Sequence, residues 1–273
     1  MRIVEFDIRS LDSAKKFVSE FTGMTEQEYN IEKFDGFDGF ELLWDVLPNH
    51  IKEIDISDLR IVAFHITGSL DECKEVKENG LVDLQKVLSN DTTLSRELKK
   101  AGVQIDIANK LVSCDDNSYA LDDTESSRAL FFVSNRLLND YCVNGFFFND
   151  DIFSYGNMVY KRPEFLMNIG ELFPKVRSLD ELWKRKSKSY KINFYATVEQ
   201  IAKFTFGLSN EFDPPYRDGG ILSDDMKIKK WLLSYALERA RDNLVTEKFL
   251  YIKNGVIIPP EQFISIDELN YEE

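Results

Sequence analysis

The sequence predicts an α+β fold, in which strands and helices follow one another in irregular order. Segments that alternate apolar and polar residues, such as "RIVEFDI" (2–8) and "YKINFYATV" (190–198), are typical of half-buried strands. Segments with apolar residues at helical spacing after a Ser, Thr or Asp are typical of capped amphipathic helices, and 223–244 is the clearest of them. The chain has 273 residues, of which 43% are hydrophobic, so it can bury a substantial core.

The first part of the chain predicts a small α/β extension, residues 1–57, ahead of a main domain at 58–273. After the first strand, Ser10 and Asp12 can cap a helix at 13–21, and Thr25 can cap a second at 25–34. The doubled F-D-G of "FDGFDGFELLWDVL" (34–47) favours turns between short extended pieces.

The main domain opens with a predicted strand, "LRIVAFHI" (59–66). Ser69 and Glu72 have the spacing of a capping box, which predicts a helix that Asn79 and Gly80 then close. The remaining predicted elements are helices at 80–90, 92–102 and 162–173, strands or loops at 103–107, 110–114 and 129–134, a strand at 143–150, and a hairpin around Asn254-Gly255 followed by another strand.

Charge and composition exclude several classes of protein. The net charge of −14 disfavours nonspecific binding to nucleic acid. The three cysteines are far apart, which argues against a disulfide framework and a structural zinc site, so no metal is expected. No apolar run approaches the roughly 20 residues of a membrane span, and the N-terminus does not have the pattern of a signal peptide, so we expect a cytoplasmic protein without a membrane partner. Phosphate-binding glycine loops and the common hydrolase motifs are absent from the sequence.

Histidine chemistry depends on His65 or His50, the only two histidines of the chain. His50 falls in a predicted surface turn. His65 ends a buried-looking strand, where it is either a hydrogen-bonded core residue or part of a ligand site. A pair of His65 with Cys114 or Cys142 is a further alternative.

The segment "FHITGSLDECKEVKENGL" (64–81) resembles the first motif of the ADP-ribosyltransferases of the diphtheria-toxin/PARP type. In that family a strand ends in His, a Thr or Ser follows two residues later, and a short helix closes with Gly-Leu. His65, Thr67 and Gly80-Leu81 occupy those places, and Ile66 stands where the family usually has Gly. The resemblance implies a split mixed sheet with flanking helices, NAD as the substrate, and no metal.

The resemblance also implies a catalytic Glu and a stacking aromatic later in the chain. Glu247, which begins "EKFLY", is similar to the family's catalytic Glu, and its alternative is an ordinary solvated charge. Tyr155 and Tyr160 are the candidates for the aromatic that stacks on nicotinamide, with Phe148 as a third, although 146–148 is more typical of core. By the resemblance His65 binds the adenine-side ribose with Thr67 beside it, and Arg162 meets a phosphate.

Two functions follow from these features. The first is an NAD-dependent ADP-ribosyltransferase or NAD glycohydrolase that modifies a macromolecule, in the manner of the toxins and phage-defence effectors of that family, with an antitoxin or immunity protein as a partner. The alternative is a non-catalytic acidic interaction protein, of the immunity or antitoxin kind, that covers a basic partner.

A basic stretch, "WKRKSKSYK" (183–191), stands out in this acidic chain. Its simplest interpretation is a solvated loop before the strand at 190–198. Its functional interpretation is an arm for a protein or nucleic-acid acceptor, in which Trp183 or Tyr190 stacks on bases while the cations Lys184, Arg185, Lys186 and Lys188 meet phosphates.

Overall fold

A computed structural model describes residues 5–208, 222–243 and 246–270. The strands are β1 (Glu5–Phe6), β2 (Arg60–Ser69), β3 (Val103–Asp106), β4 (Leu111–Cys114), β5 (Asn117–Ala120), β6 (Asn144–Phe148), β7 (Lys188–Ala196), β8 (Lys248–Tyr251) and β9 (Phe263–Leu269). The helices are α1 (Leu11–Thr22), α2 (Glu26–Tyr29), α3 (Gly36–Val46), α4 (Asn49–Lys52), α5 (Lys74–Asn79), α6 (Leu84–Ser89), α7 (Thr93–Lys100), α8 (Arg128–Leu138), α9 (Glu164–Leu172), α10 (Arg177–Lys186) and α11 (Asp224–Ala240). The predicted α+β class is confirmed.

The larger sheet has the strand order β8-β6-β2-β7-β9, and the short β1 pairs with β2 in parallel. β7 and β9 are antiparallel, with Ile192 opposite Ile266. The smaller sheet is an antiparallel meander, β3-β4-β5. The strand that carries His65 therefore lies in the middle of the larger sheet.

The chain divides into two compact units, and neither is continuous in sequence. The first contains Met1–Ala63, Gly145–Asp150 and Tyr195–Tyr251, and the second contains Phe64–Asn144, Asp151–Phe194 and Ile252–Glu273. β2 and β7 each contribute residues to both units.

The core of the first unit forms where α1 packs against α11. Phe6 meets Phe17 edge to face at 5.1 Å between ring centroids, and meets Phe147 at 5.9 Å. Ser223 caps α11 by accepting the backbone N–H of Met226, as predicted. Leu244, the last residue of the segment predicted as a helix at 223–244, lies outside the described residues.

The core of the second unit is an apolar cluster contributed by α6 to α10 and the small sheet. Buried members from α8 are Leu130, Val133 and Leu137. The strand or loop predicted at 129–134 is therefore wrong, because these residues recur at helical spacing and Ser127 caps the helix through the N–H of Leu130 at 3.0 Å.

The doubled F-D-G segment is also a helix, α3, rather than turns. Leu43 and Trp44 are buried by it. Gly39 permits its close packing, since a Cβ there would lie 2.4 Å from the carbonyl carbon of Phe34. Gly39 is therefore required for packing, whereas Gly36 has φ 69° and nothing within 4 Å of the place of a Cβ.

The predicted hairpin around Asn254-Gly255 is wrong as well. The turn is present, with Gly255 at φ 77°, but the segments on its two sides do not pair with each other. β8 pairs with β6, whereas Ile258 forms a bridge with Leu81. The strand expected after the turn is present as β9.

Candidate active site

His65 and Thr67 lie on one face of β2, which continues to Ser69, so the prediction that the strand ends at His65 is wrong. Both side chains are half-buried, and they alternate with the buried Ile66 and Gly68. Because successive side chains of a strand point to opposite faces, the predicted pair shares one side of the sheet.

His65 is fixed by a single hydrogen bond within the described residues. Its Nδ1 lies 2.6 Å from the backbone carbonyl oxygen of Asn144, at the start of β6. A carbonyl can only accept, so Nδ1 carries the proton and the lone pair remains on Nε2. Burial lowers the pKa of His65, and the bond to Asn144 only partly opposes this. The imidazole is therefore neutral at pH 7 with Nε2 as a hydrogen-bond acceptor, which fits a ribose hydroxyl.

The helix after β2 begins later than the sequence predicts, at Lys74, so the proposed capping box of Ser69 and Glu72 is wrong. Ser69 Oγ accepts the N–H of Cys73 at 2.9 Å, and Asp71 Oδ2 accepts the N–H of Glu75 at 2.9 Å. Glu72 instead forms an ion pair with Lys188 at 2.9 Å. Asp71 is thus the residue that satisfies the first turn of α5.

Gly80 and Leu81, which close this segment, both lie against the backbone of Ile258. Gly80 has φ 82°, and a Cβ on it would lie 2.3 Å from the carbonyl oxygen of Ile258. Leu81 is buried, and its N–H donates to that same oxygen at 2.9 Å. Glycine is required here both by the left-handed backbone and by the close approach of the chain.

The aromatic candidates differ in how much of each side chain is accessible. Phe148 is buried on β6, with the guanidinium of Arg239 4.6 Å from its ring centroid. Tyr160 is buried, with Phe153 edge-on at 5.2 Å. Tyr155 is half-buried, so its ring is the most accessible of the three to a ligand. The run 146–148 is core, as the simpler interpretation predicted.

Arg162 lies in the interior, where its side chain is 4% exposed. Its Nε is 2.6 Å from Oδ1 of Asp180, and Oδ2 of Asp180 is 2.7 Å from Nζ of Lys184. A guanidinium in this position neutralises a buried carboxylate, which is a different role from the expected contact with a phosphate.

Glu247 is exposed and immediately precedes β8. Phe249, two residues later, packs on Phe146 with ring centroids 5.2 Å apart. Glu247 belongs to the first unit, whereas His65, Thr67, Tyr155 and Tyr160 belong to the second.

The basic stretch at 183–191 is not the predicted loop, because it contains the end of α10 and the start of β7. Trp183 is buried and donates its Nε1–H to the carbonyl of Gly68 at 3.0 Å, and Tyr190 is buried too, so neither can stack on bases. Lys184 pairs with Asp180 and Glu181, and Lys188 pairs with Glu72 and Glu268. Arg185 and Lys186 are exposed, and neither forms an ion pair with another described residue.

The cysteines do not supply a nucleophile for His65. Burial raises the pKa of Cys142 to about 11, and it raises the pKa of Cys114 as well. The Sγ of Cys142 lies 3.1 Å from Oδ1 of Asn144. Since only the thiolate reacts readily, a Cys–His pair has no support at neutral pH.

The described residues contain neither a metal-binding group nor a membrane-spanning helix. Among them, no three His, Cys, Asp or Glu side chains are grouped so as to hold a metal ion. Nor is any helix in the described ranges both long and apolar enough to cross a membrane.

Sequence reasoning missed Asn144, whose carbonyl orients His65, and Gly68, whose carbonyl binds Trp183. Asn144 acts through its backbone, so no side-chain motif marks it. The role of Asn144 becomes visible only once "NGFFF" (144–148) is known to pair with the strand of His65.

Comparisons with known proteins do not assign the chain to a family. No family model matches it, and no curated protein and no solved structure matches it either.

Proposed function

We propose that this protein is an NAD-dependent ADP-ribosyltransferase, or an NAD glycohydrolase when water is the acceptor. The observation that carries the proposal is the state of His65. It is neutral, its Nδ1–H is held by a backbone carbonyl, and its Nε2 can accept a hydrogen bond on the strand that also carries Thr67 on the same face. A short helix and Gly80-Leu81 follow, as in the motif that this pair resembles, although β2 continues past His65 to Ser69.

The proposed reaction breaks the bond between the nicotinamide nitrogen and C1′ of its ribose. Nicotinamide leaves with the bonding electrons, and positive charge develops on the ribose. The acceptor, a macromolecular nucleophile or water, then forms a bond to C1′ and releases a proton. The protein's main task is to position NAD and to stabilise the developing charge.

Each candidate residue has a role in this proposal by the family resemblance. His65 Nε2 accepts from a hydroxyl of the adenine-side ribose, with Thr67 beside it. Tyr155 stacks on nicotinamide, and its half-buried ring supports it over Tyr160. Glu247 binds the 2′-hydroxyl of the nicotinamide ribose and stabilises the cation, and its exposure is compatible with contact to a ligand.

The test is incubation of the protein with NAD labelled in the ADP-ribose portion, with and without cell extract as the source of acceptor. We expect nicotinamide release, label transfer, or both. Glu247→Gln should lower the rate by about 100-fold or more, because it removes the charge that stabilises the transition state. Glu261→Gln removes another exposed carboxylate and should leave the rate unchanged.

His65→Ala should raise the KM for NAD, whereas His50→Ala, which alters the exposed histidine, should have no effect. A wild-type protein that neither releases nicotinamide nor transfers label would end the enzymatic proposal.

The alternative function, an acidic protein that covers a basic partner, is favoured by one surface. The outer side of α3 exposes Phe37 (78% exposed), Leu42 (44%) and Val46 (54%). The acids Asp38 and Asp45 are exposed on the same helix. Apolar side chains interspersed with acids suit a partner with the opposite charge and an apolar stripe.

This alternative is tested with a synthetic amphipathic helix of Lys and Leu as the probe. Phe37→Ser should weaken its binding at least about tenfold if the apolar side chain is an anchor of the interface. Phe131→Ser, which changes an exposed Phe of α8, is the control. Equal binding by the two variants would show attraction by net charge alone and would remove this candidate.

A further inference from the structure

The strongest feature that the candidate site leaves unexplained is the contact between β2 and the loop that carries the two tyrosines. We call residues 151–163, between β6 and α9, the aromatic loop. Its last part lies directly against the strand of His65, within the second unit. A Cβ on Gly68 would lie 2.2 Å from the carbonyl carbon and oxygen of Lys161, and 2.7 Å from the backbone nitrogen of Arg162. These distances are impossible for any side chain, so only glycine permits this approach.

Three further contacts stabilise the close approach of the aromatic loop to Gly68. Trp183 donates its Nε1–H to the carbonyl of Gly68 at 3.0 Å, and Ser187 donates its hydroxyl to the carbonyl of Lys161. The Arg162 side chain extends inward to Asp180 at 2.6 Å. The backbones of β2 and of the aromatic loop are therefore both attached to one helix, α10, and its C-terminal boundary.

The loop that is held in this way has a defined internal conformation. Asn157 and Met158 have φ of 62° and 53°, which is unusual for two consecutive non-glycine residues. The N–H groups of Lys161 and Arg162 both donate to the carbonyl of Met158, at 2.8 and 3.2 Å. A displacement at Gly68 should therefore be transmitted along the loop toward Tyr155.

We propose that Gly68 and Trp183 are positioning residues that fix the aromatic loop relative to the strand of His65 and Thr67, and so set the place of the nicotinamide-stacking tyrosine. This inference rests on the proposed function, which it deepens. It also gives Arg162 a role, since the Arg162–Asp180 pair anchors the end of the loop. None of the three contacts NAD in this account.

The test compares Gly68→Ala, Trp183→Phe and Gly156→Ala. Gly156 lies in the aromatic loop, and nothing is within 4 Å of the place where its Cβ would be, so it is a matched control for Gly68. Trp183→Phe keeps an aromatic ring and removes only the donor to Gly68. It serves as the second variant in case Gly68→Ala does not fold.

We expect the KM for NAD to rise about tenfold in Gly68→Ala and about threefold in Trp183→Phe, with a smaller change in kcat, because a misplaced stacking group loses ground-state binding. Gly156→Ala should match wild type. Destabilisation alone reduces the fraction of folded protein and hence the apparent kcat, and it leaves KM unchanged. Amide hydrogen exchange at 158–162 should also be faster in the first two variants than in the control.

Two outcomes are distinguishable. If wild type turns over NAD and KM is unchanged in folded Trp183→Phe and Gly68→Ala, the inference is overturned and the proposed function stands. If wild type does not act on NAD, the proposed function fails and this inference fails with it, whatever the exchange data show about the loop.

Discussion

The Nδ1 of His65 donates to the backbone carbonyl of Asn144 across 2.6 Å, which joins two strands 79 positions apart in sequence through a side chain. Burial lowers the pKa of His65, so the folded state resists its protonation. The same contact therefore links the candidate site to the stability of the fold.

This link predicts a pH dependence of stability. The unfolded chain takes up a proton near pH 6.5, and the folded state does so only at lower pH, so the free energy of unfolding decreases as the pH falls from 6.5 to the lowered pKa. We expect His65→Gln to reduce the slope of the free energy of unfolding against pH. The part of that slope that His65 contributes cannot exceed about 1.4 kcal/mol per pH unit, because one proton is taken up. Urea denaturation at pH 5.5, 6.0, 6.5 and 7.5 measures it. Parallel curves for wild type and variant would contradict the assignment.

The buried ion pair of Arg162 and Asp180 predicts a large loss of stability when one partner is removed. Asp180→Asn leaves a guanidinium in the interior without its carboxylate and should cost about 3–5 kcal/mol. Asp115→Asn breaks the exposed pair with Lys175, where solvent screens both charges, and should have little effect. Denaturant midpoints of the two variants check this, and similar midpoints would show that Arg162 finds another partner or reaches solvent.

A comparison of Gly80 with Gly255 separates the cost of backbone strain from the cost of steric overlap when glycine is replaced by alanine. Both have positive φ, of 82° and 77°, but only Gly80 has an atom in the place of a Cβ, the Ile258 oxygen at 2.3 Å. Gly255→Ala should cost about 1 kcal/mol through backbone strain alone. Gly80→Ala should cost more, because the bridge between Leu81 and Ile258 must also move. Equal changes in thermal melting temperature would mean that the chain relaxes freely at Gly80.

The packing of α3 predicts different results at two adjacent leucines. Leu43 is fully buried, whereas Leu42 is 44% exposed. Leu43→Ala should destabilise the protein by about 2–5 kcal/mol, as large-to-small core substitutions do. Leu42→Ala should change stability by less than about 0.5 kcal/mol. A comparable loss at both positions would contradict the burial of Leu43 and the exposure of Leu42 on this helix.

The elements predicted correctly are those whose local pattern is unambiguous. β2 is a run of apolar residues, β7 alternates, and α11 has a Ser cap, early acids and a regular apolar face. α3 and α8 were predicted wrongly because local preferences conflict with packing. The run Leu130–Val133 has the composition of a strand, and only burial in the core of the second unit makes the helix favourable.

The candidate site was predictable to a similar extent. The placement of His65 on a buried strand and the glycine stop at Gly80 follow from short-range pattern, whereas the continuation of that strand to Ser69 does not. The Asn144 carbonyl, the contact of Gly68 with Lys161 and the burial of Trp183 depend on which distant segments become neighbours. Periodicity and capping rules do not contain that information.

The first unit is assembled from three separate stretches of chain, so no short continuous fragment contains all of it. Phe6 and Phe17 at one end of the sequence share their core with Phe147 and with Trp231 of α11. A deletion that ends near residue 57 therefore removes apolar partners from both later stretches. We expect neither a deletion that ends near residue 57 nor transfer of residues 1–57 to another protein to give a folded piece, since either change separates Phe6 and Phe17 from Phe147 and Trp231.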